Sequence, residues 1–231
     1  MLYSGKDLRK LIIPLIIEQI LAIAVGMADT IMVSAAGEAA VSGVSLVDTV
    51  NILLINVFSA LATGGAVVSG HFLGKKKRED ACKSAWQILL FATLLACVIS
   101  VIFITAHDPL LRLMFGKIED DVMKASKTYL IITTYSFVAL AIYNSCAALF
   151  RAMNESKVTM WVSLLMNVIN VVGNAICIYG LHMGVAGAAW ATVLSQFISA
   201  FLCLIAGLRS FEILRLHRTD FHGIGPDLIS H

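Results

Sequence analysis

Six long apolar stretches, separated by polar or charged connectors, run along the chain. They cover residues 11–33, 46–70, 86–106, 129–150, 158–180 and 185–208. None alternates apolar and polar positions at every second residue, so the pattern predicts helices and not strands. Each stretch reaches the roughly 20 residues that a helix needs to cross a bilayer. The last two are separated only by residues 181–184, which predicts a tight antiparallel hairpin. The chain is therefore predicted to be an all-α membrane protein, with a six-transmembrane-helix bundle over residues 1–208.

The composition supports this class. Of the 231 residues, 59% are hydrophobic and 14% are charged, and the mean hydropathy is +0.88. A soluble domain has about 45–50% apolar and about 25% charged residues. These values exclude a secreted disulfide scaffold, a disordered tail and an ordinary soluble enzyme. The net charge of +2 is too small to indicate a nucleic-acid partner, so the expected surroundings are the lipid bilayer.

The basic residues predict an orientation. If the N-terminus is cytoplasmic, thirteen Lys and Arg residues lie in cytoplasmic segments and four lie outside. Cytoplasmic loops carry the excess of basic residues in membrane proteins. We therefore expect both termini to be cytoplasmic in a multi-pass protein of the plasma membrane.

Three acids lie within or at the edge of the apolar stretches: Glu18, Asp29 and Asp48. A charged group at the bilayer centre costs roughly 2.5–3.5 kcal/mol on insertion scales, so such residues are candidates for function. Glu18 and Asp29 are eleven residues apart, which places them on one helix face and about 16 Å apart along the axis. Asp48 lies near the outer end of its stretch, where we expect an interfacial, solvated acid.

Two neighbouring stretches carry polar faces. The fifth has Asn167, Asn170 and Asn174 within a sector of about 60°. The sixth has Thr192, Ser195, Gln196 and Ser199. Facing amides and hydroxyls can simply join helices, at about 0.6 kcal/mol per hydrogen bond. Alternatively, they supply neutral oxygens to a cation whose charge is balanced by a carboxylate, and Asp29 favours that second interpretation.

Pro14 and Gly26 are candidate bending points in the first helix. Proline removes a backbone hydrogen bond and can kink a helix, although a proline near the start of a helix is also common. The aromatic residues, Tyr143 among them, could line a cavity for cationic drugs through their ring faces. Packing against lipid and other helices explains the same residues.

Several of these segments resemble one transporter family. The first stretch has Pro14 and Glu18, and it ends in Met-Ala-Asp-Thr-Ile-Met-Val at residues 27–33, before Gly37. Asn170, the Tyr-Gly pair at 179–180 and the run Met-Gly-Val-Ala-Gly-Ala-Ala-Trp-Ala-Thr at 183–192 follow later. Together they resemble the first, fifth and sixth helices of multidrug and toxic compound extrusion (MATE) transporters.

The resemblance implies an antiporter that expels organic cations and other drugs, driven by sodium or protons. Such proteins have twelve helices in two six-helix lobes, and this chain resembles the N-terminal lobe. Residues 209–231 resemble the cytoplasmic linker toward a second lobe, which would come from further sequence or from a second half-chain. The implied protein is not an enzyme and needs no cofactor besides its coupling ion.

By position, Asp29 resembles the carboxylate of the family's cation site, Asn170 its fifth-helix asparagine and Thr192 its sixth-helix threonine. The resemblance thus assigns Asp29, Asn170 and Thr192 as sodium ligands. Asn174, which replaces a second acid of many members, joins them in coupling. For a substrate cavity we expect Glu18, Asn167, Gln196 and Tyr143.

Three alternatives stand beside this prediction. A flippase lobe for lipid-linked sugars would have the same architecture, but it would need basic residues in its spans, and these spans have no central Lys or Arg. A membrane enzyme would need a serine–histidine pair or clustered aspartates, and neither occurs in a suitable form. The third is a half-length chain that does not transport alone.

Overall fold

The computed structural model describes the backbone of residues 5–210 and the side chains of residues 12–208. Every regular element in this part of the chain is helical. The elements are α1 (Gly5–Ser34), α2 (Glu38–Gly74), α3 (Arg78–Thr105), α4 (His107–Phe115), α5 (Asp120–Thr134), α6 (Phe137–Ala152), α7 (Ser156–Asn174), a π-helical turn (Ala175–Gly180) and α8 (Gly184–Ser210). The predicted linker 209–231 lies outside the described residues, except that its first two positions continue α8.

The predicted membrane class is confirmed. Five segments are long and apolar enough to cross a bilayer, namely Ile12–Ser34, Glu38–Gly74, Arg78–Thr105, Ser156–Gly180 and Gly184–Leu208. The pair α5 and α6 passes the same test as one bent span, which gives six. The predicted hairpin is also present, because only residues 181–183 separate the π-helical turn from α8, and α7 packs against α8.

The hydropathy pattern predicted one continuous helix over residues 129–150, but the structure has two. This stretch spans the junction of α5 and α6, which are bent by 55° relative to each other. Hydroxyl groups explain the break: Thr134 Oγ1 donates to the Leu130 carbonyl at 2.6 Å, and Ser136 Oγ donates to the Thr133 carbonyl at 2.7 Å. Such side-chain bonds compete with the backbone ladder and bend helices.

The short helix α4 is a second feature that the apolar pattern did not predict. Its Leu111 is buried, whereas Leu113 is 83% exposed. Lys127 Nζ donates to Asp108 Oδ2 at 3.0 Å and thus links α4 to α5. This hydrogen bond lowers the pKa of the Asp108 carboxyl below its usual value, so that carboxyl group is ionised at neutral pH.

The core is centred on α6, which packs against α2, α3 and α8. Twelve of its sixteen residues are buried, including Phe137 and Phe150. In contrast, α1 packs mainly against α7 and leaves a row of large apolar side chains exposed, with Ile20, Ile23, Met27 and Ile31 each at least 60% accessible. That face of α1 is available to lipid or to another membrane domain.

Helix α2 approaches α5 closely at Gly43. A methyl group added there would lie 2.7 Å from Ala125 Cβ and 2.9 Å from the Ser126 backbone nitrogen. Ser126 Oγ also donates to the Gly43 carbonyl at 3.2 Å. Only glycine allows this approach without displacing backbone atoms, as in other close helix crossings in membranes.

We predict that Gly43→Ala destabilises the bundle by about 1–3 kcal/mol, because the added methyl group overpacks the α2–α5 contact. Gly64→Ala on the same helix is the matched control, since a methyl group at Gly64 meets nothing within 4 Å. The control gains helix propensity, by up to about 1 kcal/mol, without a clash. Thermal unfolding of the detergent-solubilised chain measures both variants, and equal melting temperatures would contradict the packing argument.

Candidate functional site

Asp29 meets the polar faces of α7 and α8 near the last turns of α1. Asn174 Nδ2 donates to Asp29 Oδ1 at 2.7 Å. Asn170, one helical turn earlier on α7, faces both carboxylate oxygens at 3.0 and 3.1 Å. On its other side Asn170 contacts Thr192 Oγ1 at 3.2 Å. The structure thus brings together the four residues predicted for ion coupling, although their role stays a prediction.

The Asn170 amide can face Asp29 with either end. With its nitrogen toward Asp29, it donates to both carboxylate oxygens and its own oxygen accepts from the Thr192 hydroxyl. With its oxygen toward Asp29, it accepts instead from Asn174 Nδ2 at 3.3 Å. The first orientation gives an anionic Asp29 hydrogen-bond donors from both Asn170 and Asn174. The second brings oxygens of Asp29 and Asn170 together around the Asn174 nitrogen, an arrangement that a bound cation or proton would stabilise further.

Close contacts between α7, the π-helical turn and α8 place these side chains. A methyl group at Gly173 would lie 3.0 Å from Ala191 Cβ, next to Thr192. A methyl group at Gly187 would lie 2.9 Å from Cys177 Cβ and 3.1 Å from the Cys177 carbonyl. These glycines let the helices approach until Asn170 reaches Thr192. The π-helical turn begins directly after Asn174, and Leu181 N donates to the Ile176 carbonyl at 2.9 Å across it.

A small cavity of about 20 Å³ lies beside Asp29. Its wall includes Asp29, Asp48, Tyr129, Asn174 and Thr192. A cavity of this size has room for about one water molecule. The same space fits a single small ion surrounded by side-chain oxygens.

Asp48 is placed differently from the sequence-based expectation of a solvated, interfacial acid. Helix α2 begins at Glu38, so Asp48 lies ten residues inside the helix although it is near the end of the apolar stretch. Its side chain is half-buried and lines the cavity beside Asp29. The apolar stretch begins later than the helix because serine, glycine and alanine are frequent in residues 39–45.

None of the four residues predicted for a substrate cavity lines the cavity beside Asp29, and we call these four residues the second polar region. Tyr143 Oη donates to Glu18 Oε1 at 3.4 Å, joining α6 to α1. Asn167 is buried on α7 and Gln196 is half-buried on α8. Among the described residues, Glu18 Oε2, Asn167 Nδ2 and Gln196 Oε1 have no hydrogen-bond partner. Buried polar atoms without partners are costly and indicate a place where another molecule can bind.

The two candidate bending residues, Pro14 and Gly26, both lie inside the continuous helix α1. Thr30 Oγ1 donates to the Gly26 carbonyl at 2.9 Å, one turn before the end of the helix. A methyl group at Gly26 would meet nothing within 4 Å. Bending at these two positions stays a prediction.

Residues 14–176 match the MatE family model, which covers more than half of the chain. The chain belongs to the MatE family. It is 29% identical over 214 residues to an uncharacterized transporter, YisQ, of Bacillus subtilis, covering 90% of this chain and 46% of that protein. It is also 29% identical to a probable multidrug resistance protein, NorM, of Thermotoga maritima, over 84% of this chain and 42% of that protein. The family assignment confirms the resemblance seen in the sequence.

Solved structures agree with this assignment. A MOP superfamily transporter from Pyrococcus furiosus, described as having a binding pocket of reverse polarity that suggests a different function, is 25% identical with a TM-score of 0.81 over 91% of this chain and 45% of its own. An outward-facing multidrug resistance MATE family transporter has a TM-score of 0.88 at 23% identity, over 97% of this chain and 49% of its own. The chain therefore has the fold of a MATE transporter, and it spans about half the length of the relatives it matches.

Proposed function

We propose that this MATE family chain forms one lobe of a cation-coupled antiporter that expels organic cations and other drugs, with Asp29 as the coupling carboxylate. The observation that carries the proposal is the set of contacts at Asp29. Amides from Asn174 and Asn170 reach its carboxylate from α7, and Thr192 on α8 contacts Asn170. One acid thus connects three helices of the bundle.

The charge balance at Asp29 supports an ion-binding role. The described side chains that line the cavity beside Asp29 include no Lys, Arg or His, and the pairs Lys77–Asp80 and Lys127–Asp108 involve other acids. A partly buried carboxylate without a basic partner is costly in an apolar bundle. A proton or a small cation removes that cost, so exchange of one for the other is the chemistry that this arrangement favours.

Coupling follows from the helices that share the ion. When Asp29 is anionic, the Asn170 nitrogen turns toward it and holds α7 against α1. When a cation or proton is bound, the Asn170 oxygen faces the site. Asn170 then donates a hydrogen bond to the Thr192 hydroxyl instead of accepting one from it. Binding therefore favours one packing of α1, α7 and α8 over another. Pro14 and Gly26 are proposed to let α1 bend between these packings.

We predict that Asp29→Asn, introduced into the complete gene product, abolishes ion-driven efflux of a cationic dye. The amide keeps the shape of the side chain but can neither carry the charge nor exchange a proton. Dye efflux from everted membrane vesicles, driven in separate runs by a sodium gradient and by a proton gradient, measures the effect.

Asp108→Asn is the matched control for this experiment. It makes the same chemical change at an exposed acid that pairs with Lys127 outside the bundle. The control should keep wild-type efflux. Undiminished coupled efflux by Asp29→Asn, at an equal amount of protein in the membrane, would refute the proposed role.

The second polar region is the proposed substrate cavity. Glu18 supplies a negative charge that suits an organic cation, and Tyr143 adds an aromatic ring that can attract the same charge. Unpartnered polar atoms on Glu18, Asn167 and Gln196 are available for hydrogen bonds to a substrate. Glu18 and Asp29 are separated by about 16 Å along α1, so a substrate at Glu18 and an ion at Asp29 would occupy different sites.

We predict that Glu18→Gln weakens binding of a monocationic dye about tenfold and leaves ion binding at Asp29 unchanged, because only the substrate loses its countercharge. The matched control is Glu38→Gln, an exposed acid in the first turn of α2. Dye binding followed by fluorescence anisotropy measures both variants. Equal dye affinity in Glu18→Gln and the wild type would remove Glu18 from the proposed cavity.

The surroundings follow from the same proposal. The helices lie in the cell membrane with both termini cytoplasmic, which fits the distribution of basic residues. The exposed apolar face of α1 and the coverage of only half of each relative support a second lobe or a second half-chain as partner. Without that partner, the half-length chain is proposed to bind its ion but not to transport. The family match does not favour the alternative of a flippase for lipid-linked sugars.

A further inference from the structure

Two acids, not one, face the small cavity beside α1. Asp29 lines it from α1 and Asp48 lines it from α2, and Tyr129 on α5 and Thr192 on α8 are among the other polar residues of the wall. Because both carboxyl groups line this one cavity, their negative charges repel each other. Asp48 has no part in the coupling mechanism described above.

The packing of α2 against α5 holds Asp48 in this position. The close contact of Gly43 with Ser126 lies five residues before Asp48 and three residues before Tyr129. The buried Tyr129 hydroxyl lies near both the Asp48 carboxylate and the Thr192 hydroxyl. Tyr129 therefore connects the acid on α2 to the cluster on α7 and α8.

The donors beside the Asp48 carboxylate, Tyr129 and Asn51, are neutral groups. Asn51 Nδ2 donates to Asp48 Oδ1 over a long distance, 3.5 Å. The described side chains that line the cavity at Asp48 include no Lys, Arg or His. Two carboxyl groups therefore share one cavity with no basic residue to balance them, which favours uptake of a positive ion.

An orphaned oxygen in the same wall points to a ligand. Asn174 is 1% exposed, and its nitrogen is used by Asp29. Its Oδ1 is buried and has no hydrogen-bond partner among the described residues. Cations with a preference for oxygen bind carboxylate, amide and hydroxyl oxygens together. Asp29, Asp48, Asn174 and Thr192 supply all three kinds.

We infer that Asp48 is a second sodium-binding carboxylate, so that the ion lies between α1 and α2 with Tyr129 positioning the acid. This inference rests on the proposed function and deepens it, because it adds α2 to the helices that the ion connects. Two carboxylates carry two negative charges. One bound sodium ion balances the first, and a proton on either carboxyl group balances the second.

The test is binding of radioactive sodium ion to the purified chain in detergent. Asp48→Asn should raise the dissociation constant for sodium about tenfold or more, since one of two countercharges is lost. Asp108→Asn makes the same change at an exposed acid and should bind sodium as the wild type does. Size-exclusion elution and melting temperature verify that each variant is folded.

A double variant separates charge from fold. Asp48→Asn with Asn174→Asp returns one carboxyl group to the cavity from α7, and it should recover most of the sodium affinity. Affinity that stays lost in a double variant with wild-type elution and melting would overturn the inference.

Failure of this inference is distinguishable from failure of the proposed function. Sodium binding that Asp29→Asn abolishes and Asp48→Asn leaves unchanged would overturn the role of Asp48 and retain that of Asp29. A wild-type chain that binds no sodium would also overturn it, while proton-driven efflux through Asp29 would still stand. The proposed function itself fails only in the efflux experiment on Asp29→Asn.

Discussion

The arrangement of α1, α7 and α8 depends on the cost of a carboxylate without a basic partner in an apolar bundle. Asp29 offsets this cost with amides, 2.7 Å from Asn174 and about 3 Å from Asn170. Gly173 and Gly187 let α7 and the π-helical turn approach α8 closely, so that Asn170 contacts Thr192 as well as Asp29. Hydrogen bonds to charged groups are stronger than those between neutral groups, yet a neutral partner leaves the charge in place. The amides therefore hold the Asp29 side chain in place, while its negative charge stays uncompensated and favours binding of a cation.

Much of this arrangement could be predicted from the sequence. Apolar stretches of membrane-spanning length identify the helices, and the 3.6-residue period places Asn170 and Asn174 on one face. What the pattern cannot predict depends on tertiary contacts or on side-chain hydrogen bonds. The bend between α5 and α6 arises from hydroxyls of Thr134 and Ser136, and apolar averages do not register them. Asp48 was expected to be solvated because the apolar pattern shows neither that α2 begins at Glu38 nor that this side chain lines the cavity beside Asp29.

Two polar regions along one helix suggest how a lobe can separate ion from substrate. Asp29 and Glu18 share a face of α1, but their partners differ, with amides around the first and Tyr143 at the second. Because both acids belong to α1, a change in its tilt or bend alters both regions together. This shared helix is the proposed basis for coupling within a lobe, and a second lobe is proposed to supply the opposite wall of the transport pathway. The long, exposed apolar face of α1 is suited to that contact.

The central claim is that Asp29 changes its ionic state when the coupling ion binds. Infrared difference spectroscopy of the purified protein, exchanged between sodium-free acidic buffer and sodium-containing neutral buffer, observes this change directly for either coupling ion. The account predicts loss of a protonated-carboxyl band and gain of a carboxylate band, with both features reduced in Asp29→Asn and unchanged in Asp108→Asn. A difference spectrum that is identical in the wild type and in Asp29→Asn would contradict it.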